Sequence, residues 1–285
     1  MLARVLSLLI VLGLCAHAIP SLGEEESAPS GVRMVCLNVG KGDAILLSVE
    51  NRHYLVDTGY KRTWKAVRSM LEKEGVRRLD GVFITHPHKD HIGGLEKLLQ
   101  SGIQVDMIYA PALSQEASGS AHPAAEAAAK VGKHVRFVKA GELIPASTSS
   151  YFEILGPITL NTDNENNNSL VMQLFTPDGS ILLTGDMKAE EEFSLLRAGV
   201  LSQAEVLKVP FHGDGSASTS AFLRAVRPRV SVISTSSKEE RNTPDKDVLY
   251  RLASIGSEIY VTQDAPYAVA VLLKNRKITV RMLSK

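Results

Sequence analysis

The sequence predicts an α+β fold in which two strand-rich halves pack their sheets together, with helices outside. Three observations predict it. Short apolar runs rich in Val, Ile and Leu alternate with segments of helical spacing along the chain. The same style resumes after a polar stretch, "NTDNENNNS" at 161–169. The 285 residues are 44% hydrophobic, enough to bury a full core as one large domain.

The first half begins with "VRMVCLNV", "AILLSV" and "HYLVDT", three β-rich runs whose short polar connections suit antiparallel neighbours. A helix is expected in "TWKAVRSMLEKEG", stopped at Gly75, then a buried strand in "LDGVFIT" and a helix in "IGGLEKLLQSG". "VDMIYA" reads as a strand and "AHPAAEAAAKVG" as a helix. The polar 161–169 stretch is expected to be an unpacked loop. Beyond it follow "SLVMQLFT", "SILLTGD", the helix "MKAEEEFSLLRAG", "AEVLKVP", the helix "STSAFLRAV", "VSVIST" and the helix "PDKDVLYRLASIG". The closing strands "SEIYVT", "AVAVLLK" and "KITVRML" are expected to finish this second half.

Residues 1–18 have the pattern of a secretory signal: Arg4, an apolar stretch of a dozen residues, then Ala16-His17-Ala18. Cleavage is expected after Ala18, with Gly23 the alternative, and the mature chain then carries no stable membrane span. The expected location is secreted or periplasmic. Lipidation at Cys15 is disfavoured by the bulky Leu14 before it. The mature chain keeps Cys36 alone, which excludes an internal disulfide. A formal charge of +1 provides no global basic field for nucleic acid, although a local groove can still be basic.

The chemistry concentrates in "THPHKDHIGG", where His86, His88, Asp90 and His91 fall within six positions at a strand end. Imidazole nitrogens with a carboxylate suit zinc, manganese or iron. His53, His122 and His134 stand alone and read as surface or hydrogen-bonded core residues.

"THPHKDH" resembles the HxHxDH signature of the metallo-β-lactamase superfamily. More narrowly, "NVGKGDAILL", "VDTG", "NNNSLVMQL", "LLTGD", "AEVLKVPFHG" and "VSVIST" resemble, in order, the ComEC/Rec2-like hydrolase domain and its exported relatives. The resemblance covers nearly all of the mature chain. It implies a four-layer αββα sandwich over residues 32–285, made of two halves joined near 156–168. It also implies one or two divalent ions, Zn2+ or Mn2+. His86 and His88 would hold the first and Asp90 and His91 the second, with Asp186 bridging and Asp57 orienting the histidine loop through hydrogen bonds. Asn167 or Asn168 would support the first metal with an amide oxygen. His212 is implied as a further ligand or phosphate contact, and Asp90 and His212 as the catalytic pair. Asn168, Ser169 and Lys208 are the implied substrate contacts.

Two family histidines are replaced, by Phe211 in "VPFHGD" and by Thr243 in "EERNTP", where Glu239 and Arg241 also depart from the pattern. The resemblance implies an exported hydrolase of phosphodiesters, with nucleic acid as substrate and water activated by the metals as nucleophile. The alternatives are a lactone, β-lactam or other ester hydrolase of the same fold, and a metal-depleted binding module without turnover. The sequence carries no indication of oligomeric state.

Overall fold

The computed structural model describes residues 31–118 and 121–284. The expected signal segment and Cys15 lie outside the described residues. Eight strands form one sheet, in the order Lys277–Leu283, Ala268–Lys274, Val32–Leu37, Ile45–Val49, Arg52–Val56, Gly81–Phe83, Ile108–Pro111, Val135–Val138. Seven form the other, in the order Glu258–Val261, Val230–Ile233, Val206–Lys208, Gly179–Leu183, Val171–Thr176, Tyr151–Gly156, Leu143–Pro145.

The period-two patterning of these strands explains the layers. Val32, Met34 and Cys36 point into a core shared by both sheets, while Val35 and Leu37 point the other way, toward the helices. In the second sheet Ile181 and Leu183 face the shared core, and Leu182 packs with the helix residues Leu195, Phe222 and Leu252. Three cores therefore separate four layers. The shared core is knit by aromatic rings: Phe152 of the second sheet sits 4.8 Å from Phe83 and 5.0 Å, edge-on, from Tyr54 of the first. The Tyr54 hydroxyl donates to the Ala146 carbonyl at 2.9 Å.

Three expectations change. Val135–Val138, Leu143–Pro145 and Tyr151–Gly156 are strands with no counterpart in the sequence reading. Val135–Val138 and Leu143–Pro145 are edge strands, and Tyr151–Gly156 lies next to one; Leu143 and Tyr151 are exposed. The closing strands do not all finish the second half: Ala268–Lys274 pairs antiparallel with Val32–Leu37, matching Val32 to Leu273, and Lys277–Leu283 joins outside it. The stretch 161–169 is not wholly unpacked. Asn166–Ser169 are buried, because their amides bond to one another's loop and to neighbouring elements instead of to water.

The four strands from Arg52–Val56 to Val135–Val138 run parallel, as do those from Gly179–Leu183 to Glu258–Val261. Their carboxyl ends carry Asp57, His86, Asp186 and His212 into the turns that follow. Parallel sheets commonly place their ligand sites at this end.

Away from that edge, helix Ala189–Ala198 buries Glu191, which accepts from the Ile158 amide at 2.7 Å. Burial pushes its carboxyl up to about 7, against the effect of that hydrogen bond. The folded state thus holds this proton more tightly than the unfolded chain, so the stability it contributes is complete in acid and is lost as pH rises through about 7. Glu191→Gln keeps the acceptor and removes the titration. The variant is expected to gain stability over the native protein between pH 5.5 and 8.5 by on the order of 1–3 kcal/mol, read from melting curves at each pH. A constant difference across that range would show that Glu191 does not titrate as described.

Candidate metal centre

The strand Gly81–Phe83 ends in a buried Thr85-His86 pair, and the chain turns at Pro87 into the short helix Lys89–Ile92. That helix lies directly on the turn after Asp57. The Thr58 amide donates to the His91 carbonyl at 2.6 Å, and the Gly94 amide to Thr58 Oγ1 at 3.1 Å. A β-carbon at Gly94 would stand 2.5 Å from the Thr58 carbonyl oxygen, which accounts for glycine there. Asp57 itself has φ +57° and aims both carboxylate oxygens inward. Its Oδ1 accepts from the Thr85 amide at 2.8 Å and its Oδ2 from Thr85 Oγ1 at 2.7 Å.

Asp57 Oδ2 also lies 2.7 Å from His91 Nδ1. An ionised carboxylate only accepts, so Nδ1 carries the proton and Nε2 points away with its lone pair in the neutral ring. His212 is held by the same logic. Its Nδ1 donates to the Ser234 carbonyl at 2.8 Å, leaving Nε2 to face the centre. The turn Pro210–Gly213 makes this possible by taking Phe211 and His212 into the left-handed region, at φ +47° and +55°. Such strain in non-glycine residues gathers at functional sites.

The two Nε2 atoms stand 3.3 Å apart, with Asp186 Oδ2 at 3.3 Å from His91 and 3.1 Å from His212. Asp90 Oδ2 lies 3.5 Å from His212 Nε2 and 3.8 Å from His91 Nε2. His86 Nε2 is 3.7 Å from Asp186 Oδ2 and 3.0 Å from Nδ1 of the exposed His88. Ligand atoms of Asp90, His91, Asp186 and His212 all fall within 4.8 Å of one another.

Without a cation, this packing distorts the titration of every member. His86 is lowered well below the usual imidazole range by burial and by the His91 ring. Burial opposes protonation of His91 and His212 too, yet Asp186 and the other carboxylates hold His91 well above its ordinary value and His212 at about 9. Burial would raise Asp186 and Asp90, but their histidine neighbours drive Asp186 far down and Asp90 to about 2. Asp186 Oδ1 is buried with no hydrogen-bond partner among the described residues. Converging imidazole lone pairs, a shared carboxylate and an orphaned buried oxygen fit a divalent metal.

The other expected site residues are placed differently. Lys208 is not at a substrate surface. It is buried, with Nζ 2.8 Å from Asp43 Oδ2 and donating to the Val209 carbonyl at 3.0 Å. Burial works against its charge, but Asp43 and Asp186 raise its pKa above the ordinary value. Asn168 is tied to its own loop: its Oδ1 accepts from the Asn161 amide, and its Nδ2 donates to the Asn161 carbonyl and Glu165. Asn167 Oδ1 accepts from the Lys188 amide at 2.9 Å, so each amide oxygen already accepts one backbone hydrogen bond. Ser169 Oγ accepts from the Asp186 amide at 3.1 Å, which positions Asp186. Thr243 Oγ1 is paired with Thr235 Oγ1 at 2.6 Å.

Asp43 is the site residue that the sequence reading passed over, 3.9 Å from His91 Nδ1. Its signal was the acidic position of "GKGDA". The Ser234 carbonyl is a backbone group and left no signal at all.

The model of the metallo-beta-lactamase superfamily matches residues 37–237. The chain belongs to the metallo-beta-lactamase superfamily. ComE operon protein 3 of Bacillus subtilis (strain 168) is 26% identical over 234 residues, covering 76% of this chain and 30% of that protein. Competence protein ComA of Neisseria gonorrhoeae is 26% identical over 261 residues, covering 90% of this chain and 34% of that protein. Both agree with the ComEC-like resemblance, and the chain spans about a third of their length. CmlA, a diiron beta-hydroxylase from Streptomyces venezuelae, shares the fold with a TM-score of 0.58 at 14% identity, over 88% of this chain and 54% of its own. The two packed sheets with outer helices are the αββα sandwich of this metallo-beta-lactamase superfamily member. Among the described residues no helix is long and apolar enough to cross a membrane.

Proposed function

We propose that this superfamily member is a metal-dependent hydrolase of phosphodiesters, acting outside the cytoplasm on nucleic acid. One observation carries the metal reading. His91 and His212 turn their Nε2 atoms toward each other around Asp186 Oδ2, and each ring is fixed by a separate acceptor on Nδ1. His91, Asp186 and His212 would hold a divalent ion, Zn2+ or Mn2+, with His86, His88 and Asp90 available to a second. A bound ion would supply Lewis-acid polarisation of the phosphoryl oxygen and lower the pKa of its water.

The chain's own groups do the rest. Asp57 and Ser234 fix the two rings, and Ser169 fixes Asp186. Asp90, whose side chain is 18% exposed where His91 and His212 are fully buried, is the most exposed of the four clustered ligands. Held ionised, it orients the attacking water and accepts a hydrogen bond from it. The nucleic-acid assignment draws on the competence relatives, and the location on the apolar N-terminal segment.

The test compares bis(4-nitrophenyl) phosphate, a single-stranded oligonucleotide and a lactone as substrates, after loading with zinc or manganese. Phosphodiester turnover that requires metal supports the reading. Lactone turnover without phosphodiester turnover would replace it with the ester-hydrolase alternative. Full metal content with no turnover on any substrate would leave a binding module.

A further inference from the structure

We propose that Lys41 and Lys188, gathered on the Phe211 ring, form a two-ammonium clamp for the phosphates of a polyanionic strand entering the metal centre. This deepens the phosphodiesterase reading and rests on it. Each member lies within two positions of a residue of the site in the chain. Phe211 precedes His212, and its amide donates to the Gly185 carbonyl at 3.2 Å, beside Asp186. Lys188 follows Asp186 by two positions and begins helix Ala189–Ala198. Lys41 belongs to the loop before Asp43, whose amide donates to the Asp90 carbonyl at 3.1 Å. A β-carbon at Gly42 would lie 2.7 Å from that carbonyl oxygen, so the loop lies tightly against the Asp90 turn.

The three side chains meet although they come from three separate loops. Lys188 Nζ is 4.5 Å from the Phe211 ring centroid and Lys41 Nζ is 5.7 Å from it. All three residues are partly buried. Cation–π contact at such distances holds an ammonium without neutralising it. Lys188 forms no ion pair among the described residues, and Lys41 reaches only Glu240, at 3.8 Å. Nearby Glu239 is already engaged, accepting from the Lys41 amide at 2.9 Å and pairing with Arg62 at 2.7 Å. Two half-buried ammoniums thus rest on a ring whose centroid is 6.4 Å from that of His212, with little carboxylate of their own. A neutral lactone has no use for them, whereas a strand with a phosphate on each side of the scissile bond does. Phe211, in place of a histidine, becomes the support on which the ammoniums rest.

The test is binding of a labelled phosphorothioate single strand to the metal-loaded protein across a salt series. The Lys41→Met/Lys188→Met double variant is expected to bind about tenfold more weakly. The slope of log affinity against log salt is expected to shrink by about 1.4, the value for two lost phosphate contacts. Arginine at both positions should restore the slope, which separates lost charge from a damaged fold, and metal content is measured on each variant. An unchanged slope in the double variant overturns the clamp, as does failure of the arginine pair to restore it or failure of the native protein to bind. Native protein that binds with this slope yet cleaves no phosphodiester overturns the hydrolase reading and leaves the clamp standing. Native protein that cleaves bis(4-nitrophenyl) phosphate while the double variant keeps its slope overturns the clamp alone.

Discussion

Asp186→Ala is expected to empty the metal centre. After loading with zinc or manganese and removal of excess ion, elemental analysis should find metal in the native protein and a large loss in the variant. Hydrolysis should fall by at least about a hundredfold, more than is usual for losing a residue that merely orients a ligand. The expectation follows from position. Asp186 Oδ2 lies within 3.7 Å of an Nε2 atom on each of His86, His91 and His212, and no other carboxylate among the described residues approaches all three. Its second oxygen is buried without a partner, a cost that coordination would remove. Asp186→Asn is the companion variant, because it keeps the shape and one acceptor while losing the charge. Metal content equal to the native value in both variants would exclude Asp186 as a ligand and move the centre toward His86 and His88.

The second large effect concerns folding. Lys208→Met should destabilise the protein by about 3–5 kcal/mol, the usual cost of leaving one partner of a buried ion pair alone. Lys208 and Asp43 have side chains only 1% and 2% exposed, and their atoms lie 2.8 Å apart. Asp43 Oδ1 already lacks a hydrogen-bond partner among the described residues, so without the ammonium the buried carboxylate is left with His91 at 3.9 Å and no hydrogen bond to its side chain. Adding Asp43→Asn to Lys208→Met should recover part of the loss, by about 1–3 kcal/mol, since the two sites are directly coupled. Urea unfolding of the metal-free proteins measures both values. A loss below about 1 kcal/mol for the single variant would mean that water or a rearranged neighbour replaces the lysine.

These two residues also mark what the sequence conveys of the site and where it stops. Asp186 is singled out only through the family resemblance, since alone a carboxylate after "LLTG" reads as a turn or cap residue; the structure brings it beside His91 and His212. His86, His88, Asp90 and His91 were legible because four ligand types crowd one turn. Lys208 reads as a substrate contact and is instead buried against Asp43, because a lysine ending an apolar strand looks the same whether its ammonium reaches solvent or an internal carboxylate. Only Asp43 decides, from the loop before a strand of the other sheet, and that pairing is tertiary. Asn167 and Asn168 were misplaced for a similar reason. Their amides are satisfied within a loop whose burial depends on Lys188 and Glu190 of a later helix.

The fold was legible in its central strands, where apolar residues alternate on both faces and each face has a layer to meet. It was not legible between 135 and 156, where two short edge strands carry only a few buried residues and Tyr151–Gly156 pairs with one of them, nor in the destination of the last strands. Nothing local in "AVAVLLK" distinguishes a partner in one sheet from a partner in the other. Both faces are apolar in either place.

That destination governs the order of assembly. Val32 finds its neighbour at Leu273, so the central strand of the first sheet stays open on one side until nearly the whole chain is available. Pairings this distant in sequence are slow to close, and an unpaired strand that waits is a template for other chains. A growing chain would therefore hold the histidine turn on an unfinished sheet, and a fragment ending before Ala268 would aggregate before it could bind metal.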